Sequence, residues 1–94
     1  MAKAYVVAVY NKIIDPEKLK NYIQDSRPVM GAHGANALAI GSNISKLEGI
    51  PPERAVIMEF ESVEAAQKAF QSNQANEEIL EGGVDRVMFF VEGV

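Results

Sequence analysis

The sequence predicts a ferredoxin-like α+β domain, ordered β-α-β-β-α-β around a four-stranded antiparallel sheet. Three observations predict it: short runs rich in β-branched and aromatic residues, segments with helix caps and apolar residues at three-to-four spacing, and a double proline between the two middle runs. Ninety-four residues suit one domain, read as 1–94, and a hydrophobic fraction of 48% argues against disorder.

Ala4 to Tyr10 is a continuous apolar run, too short for a buried helix and suited to a strand. Asp15-Pro16-Glu17 then starts a helix, with Asp as N-cap, Pro at the first helical position and an acid at the positive end of the dipole. Leu19, Tyr22, Ile23 and Ser26 form its inward stripe. Pro28 removes a backbone donor, so a kink or restart is expected near Arg27, with the helix continuing to Gly34 as its C-cap. Ala37 to Ile44 reads as a second strand with a bulge or bend at Gly41, and Pro51-Pro52 as the hairpin loop before a third strand, Arg54 to Phe60. Ser62 caps a second helix with Val63, Ala66, Ala69 and Phe70 inward; a weak helical stretch or break follows from Asn73 to Asn76. Gly82-Gly83 ends this region, and Val84 to Val94 supplies the fourth strand.

Nine basic and thirteen acidic side chains give a net charge of −4, which lacks the positive footprint that nucleic acid requires. With no cysteine, disulfides, thiolate catalysis and Cys-containing metal sites are excluded, and a lone histidine makes no convincing metal site. No apolar stretch approaches the roughly 20 residues that span a bilayer. Met1 to Tyr10 lacks a separate basic region and reads as no signal peptide, so a cytoplasmic protein without membrane or nucleic-acid partners is the default.

Strands one, three and four are apolar on both parities, for example Tyr5, Val7 and Val9 against Val6, Ala8 and Tyr10. Two helices cover one sheet face, and an antiparallel sheet whose second face meets water is normally polar there. A homodimer, sheet on sheet, is therefore expected. The alternative is a monomer with shorter outer strands and helices that wrap further.

Candidate catalytic residues are His33 and Glu59. His33 stands where helix one ends, and capping competes with a role as proton shuttle. Glu59 interrupts an apolar strand, where burial would raise its pKa toward that of a general base unless Arg54 or Arg27 pairs with it. The acidic run Glu77, Glu78 and Glu81 reads as a solvated face, and Asp85 with Arg86 as a pair at the dimer edge. Phosphate-loop, nucleophile-elbow and His-Glu-x-x-His motifs are absent from the sequence.

Lys3-Ala4-Tyr5-Val6-Val7, Asp15-Pro16-Glu17, Ala32-His33-Gly34, Leu47-Glu48-Gly49, Pro51-Pro52-Glu53-Arg54, Met58-Glu59-Phe60-Glu61-Ser62 and Val91-Glu92-Gly93-Val94 together resemble the bacterial domain-of-unknown-function 1330 family from end to end. The resemblance implies the dimeric α+β barrel superfamily, whose members include cofactor-free monooxygenases, haem-degrading enzymes and stress-response domains. It also implies a ligand cavity between helix one and the sheet, for which Tyr22, Arg27, Asn43 and Arg54 are the binding candidates, with Tyr10 beside them.

Two functions follow as expectations. The first is a dimer that binds or converts a small organic molecule by cofactor-free acid/base chemistry at His33 and Glu59. The second is a non-catalytic metabolite- or partner-binding module in a stress or regulatory role. Haem, held by His33 alone, is a weaker third; no cofactor and no metal is the expectation.

Overall fold

The computed structural model describes residues 2–94. Its elements are β1 (Ala4–Ile13), α1 (Pro16–Ala32), β2 (Asn36–Gly41), β3 (Arg54–Phe60), α2 (Val63–Ser72), α3 (Gln74–Leu80) and β4 (Val84–Glu92). The four strands form one antiparallel sheet in the order β2-β3-β1-β4, the ferredoxin-like arrangement, with an additional short helix after α2.

Asp15 caps α1 by accepting the Lys18 N–H at 3.1 Å, and Pro16 follows at the first position. The helix is assigned without interruption through Pro28, so it does not restart near Arg27. It ends at His33, whose backbone N–H donates to the Met30 carbonyl at 3.1 Å, and Gly34 turns the chain away at φ +81°. Ser62 caps α2 by accepting from the Ala65 N–H at 3.1 Å. The break expected at Asn73 is real but brief: Asn73 closes α2, and α3 begins at once.

Register assigns every strand residue to a face. Ala4, Val6, Ala8 and Tyr10 of β1 are buried under the helices. Opposite them lie Phe60, Met58, Val56 and Arg54 of β3, and Phe90, Met88 and Arg86 opposite Val6, Ala8 and Tyr10 on β4. Two buried clusters fill this side, one around Phe60, Val6, Ala66 and Ala69, the other around Tyr10, Leu19, Val56 and Leu80. The other face carries Val7, Val9, Ile57, Val87, Phe89 and Val91 and bears no helix; Val87, Phe89 and Val91 are 53%, 45% and 47% exposed. The bend in β2 falls at Leu38, the extra residue where its pairing with β3 shifts, and the strand ends at Gly41, earlier than the sequence suggests.

Candidate functional site

A cavity of about 440 Å³ opens between α1 and the helix side of the sheet, within the usual range of small-molecule sites. Its walls are mostly apolar, with Met30 on α1, Met58 on β3, Met88 on β4 and Phe70 on α2 among them. Methionine is an adaptable lining because it is unbranched and polarizable.

One end of the cavity is polar because three strands put polar residues in the same row. Arg54, Tyr10 and Arg86 lie side by side on β3, β1 and β4. Both guanidiniums face the Tyr10 ring, at 5.7 Å for Arg54 and 5.4 Å for Arg86, within cation–π range. Arg86 Nη1 donates to the Tyr10 hydroxyl at 3.2 Å and to the Tyr22 hydroxyl at 3.3 Å, while its Nη2 donates to Glu77 Oε1 at 2.8 Å. Glu77 Oε2 accepts from the Tyr22 hydroxyl at 2.7 Å and from Asn73 Nδ2 at 2.6 Å. Asn73, fully buried, also donates to Ser26 Oγ at 3.1 Å, which ties α3 to α1. Both oxygens of the Glu77 carboxylate are thereby engaged, and the ion pair it makes with Arg86 is mostly shielded from water, the two side chains being 19% and 13% exposed.

The electrostatics follow from this geometry. Burial pushes the Tyr22 phenol above its ordinary value, and the hydrogen bond to Glu77 adds to the shift, so Tyr22 remains a proton donor. Burial opposes the charge on Arg86, but hydrogen bonds to Tyr22, Glu77 and Tyr10 outweigh it and its pKa is raised. Arg54 stands apart: its Nε is buried without a hydrogen-bond partner. The ion pairs among the described residues are Lys3–Glu59 and Arg86–Glu77, so neither Arg54 nor the exposed Arg27 has a carboxylate partner.

Of the residues expected at the site, Tyr22, Arg27 and Arg54 line the cavity, as does Tyr10. Asn43 does not; it is exposed in the loop after β2. His33 is half-buried at the end of α1 and also lies outside the lining. Glu59 is on the opposite face of the sheet, five residues from Arg54 and so of the other parity, which separates it from both expected counter-ions. There it accepts from the Tyr5 hydroxyl at 3.0 Å and pairs with Lys3 at 3.4 Å. The Tyr5 hydrogen bond lowers the Glu59 pKa against the effect of burial, with Lys3 assisting, so the raised pKa expected of a general base is replaced by a depressed one. Glu77 and Arg86, read from sequence as solvent-facing and dimer-edge groups, are the centre of the polar network instead. No helix among the described residues is long and apolar enough to cross a membrane. No group of three or more potential metal-ligating side chains occurs among them either.

The family model of the domain of unknown function DUF1330 matches residues 3–94. The chain belongs to the DUF1330 family. No curated protein matches this DUF1330 chain. Among solved structures, a Rhodopseudomonas palustris protein of unknown function superposes with a TM-score of 0.78 at 17% identity, covering 99% of this chain and 83% of that one. A dimeric ferredoxin-like protein of unknown function from Thermobifida fusca gives 0.62 at 15% identity, with 97% and 91% covered. SnoaB, a cofactor-independent oxygenase from Streptomyces nogalater, gives 0.67 at 6% identity, with 97% and 92% covered. At these identities the likeness is one of fold.

Proposed function

We propose that this DUF1330 protein is a homodimer in which each subunit binds a small organic molecule in the cavity between α1 and the sheet. The observation that carries the reading is the cavity itself, about 440 Å³ with apolar walls and a set of polar groups gathered at one end. That combination is the usual composition of small-molecule sites, in which apolar contact supplies affinity and a few polar groups supply orientation. Tyr22, Arg27 and Arg54 are the orienting groups, with Tyr10. The dimer is supported by the apolar sheet face left open by the helices, and by the dimeric state of the Thermobifida fusca relative.

Methyl-labelled methionine reports on the cavity directly. Titration with naphthalene-2-carboxamide, an uncharged apolar probe, is expected to move the Met30, Met58 and Met88 signals together and saturably. Absence of any saturable shift at those three methyls, with this amide and with the matching carboxylate 2-naphthoate alike, overturns the reading.

Cofactor-free conversion of the bound molecule is the second reading, favoured by one feature. The Tyr10 oxygen accepts from Arg86, which leaves the phenolic proton of Tyr10 free to be given at the cavity wall. In this reading the proton-transfer role expected of His33 and Glu59 passes to Tyr10. SnoaB, a cofactor-independent oxygenase, has the same fold, which makes such chemistry compatible with the scaffold. Loss of turnover in Tyr10→Phe with retained probe binding is the expected signature.

A further inference from the structure

The charges that line the cavity are all of one sign. Among the described residues Arg27 and Arg54 reach it and no carboxylate does, although the chain as a whole carries −4. Glu77, at the polar end, is neutralised by Arg86 and accepts from Tyr22 and Asn73, and it makes no ion pair with Arg54. Tyr22 donates its proton to Glu77, and Tyr10 accepts from Arg86 while keeping a proton to give. The polar end therefore presents donors and a surplus positive charge, with its acceptors already occupied.

Arg54 is the focus of that surplus. Its guanidinium packs against the Tyr10 ring, which holds the planar group at the cavity wall, and its Nε is buried with no partner. A buried donor without an acceptor is costly, and an acceptor that draws the guanidinium edge toward it relieves the cost. A planar carboxylate matches the guanidinium fork in geometry and charge, whereas a neutral carbonyl supplies fewer lone pairs and no charge.

Resting on the cavity as the binding site, we propose that its ligand is an organic carboxylate: an apolar, ring-sized body held among Met30, Met58, Met88 and Phe70, with its carboxylate on Arg54 and Tyr10. Arg27, exposed at the rim, attracts the anion on approach and contributes less once it is bound.

Two probes of nearly identical shape, 2-naphthoate and naphthalene-2-carboxamide, separate this claim from the claim that the cavity binds at all. Titrated against the wild-type protein at neutral pH, the carboxylate is expected to bind at least tenfold more tightly than the amide. Arg54→Gln is expected to bring the ratio close to one, the loss falling mainly on the carboxylate. Arg27→Gln is expected to lower the ratio by less than threefold. Equal binding of the two probes by wild-type protein, a tenfold preference retained in Arg54→Gln, or a larger loss at Arg27 than at Arg54 each overturns the carboxylate assignment and leaves the cavity reading intact. Binding of neither probe overturns both. Should Arg54→Gln not fold, the wild-type ratio decides alone, and Arg54→Lys, which keeps the charge, is expected to retain a preference of threefold or more.

Discussion

Removal of Glu77 tests whether the polar end of the cavity is a single interdependent unit. Glu77→Ala deletes the acceptor of three hydrogen bonds, from Arg86 at 2.8 Å, Tyr22 at 2.7 Å and Asn73 at 2.6 Å, and leaves a mostly buried guanidinium without its counter-charge. Breaking a buried pair costs about 3–5 kcal/mol, and the 13% and 19% exposure of the two side chains lets water recover part of it, so a loss of about 3 kcal/mol is expected. For a domain of this size that corresponds to a melting temperature about 12–24 °C lower. Arg86→Met leaves Glu77 with two donors and is expected to cost about 2 kcal/mol. Because each single change removes the same pair, the double variant is expected to lose about 3 kcal/mol, short of the sum by about 2 kcal/mol. Urea unfolding at fixed protein concentration measures all three, the fixed concentration being needed because association shifts apparent stability. Losses below about 1 kcal/mol, or additivity within about 0.5 kcal/mol, would refute the view that these groups form one coupled network.

Four further outcomes follow from the same structure. Tyr22 has a folded pKa raised above its ordinary value of 10.0, so the stability this group contributes is fully present below about pH 10 and is lost as the pH rises beyond it. The wild-type urea midpoint should therefore fall more steeply than that of Tyr22→Phe above about pH 10, and parallel profiles would contradict it. Glu59 has a depressed pKa, so its contribution is present above about pH 4.5 and is lost as the pH falls through the lowered folded value; Glu59→Gln should flatten the acid limb of the stability profile without lowering probe affinity. Gly34→Ala puts a side chain at φ +81° and should cost about 1–2 kcal/mol in urea unfolding, although the added methyl meets no neighbour within 4 Å. Phe89→Lys, on the open face, should convert the proposed dimer to a monomer near 10.3 kDa by light scattering, whereas a variant that still dimerises would place the interface elsewhere.

The strands, the caps at Asp15 and Ser62 and the order of elements were legible in the sequence because each rests on local chemistry. The two-sided apolar character of β1, β3 and β4 likewise follows from composition alone. The site was legible in part. Tyr22 and Arg54 reach the cavity because one stands on the inward stripe of α1 and the other on the inward parity of β3. The same parity separates Glu59 from Arg54, and strict counting by two along β3 would have excluded their pairing. Glu77 is different. Within the run Glu77, Glu78 and Glu81 nothing in the sequence marks it, because its burial depends on α3 folding back toward Ser26 on α1 through the buried Asn73. Arg86 was equally hidden: its partner acid is nine residues earlier, on another element, and a neighbouring Asp85 supplied a false alternative.

A crystal soaked with 2-naphthoate tests the central claim most directly. The account predicts the naphthalene ring between α1 and the sheet, in contact with the cavity methionines, and the carboxylate within hydrogen-bond distance of Arg54. Density for the probe only on the open face, against Val87, Phe89 and Val91, or a carboxylate turned away from Arg54 toward solvent, would contradict it.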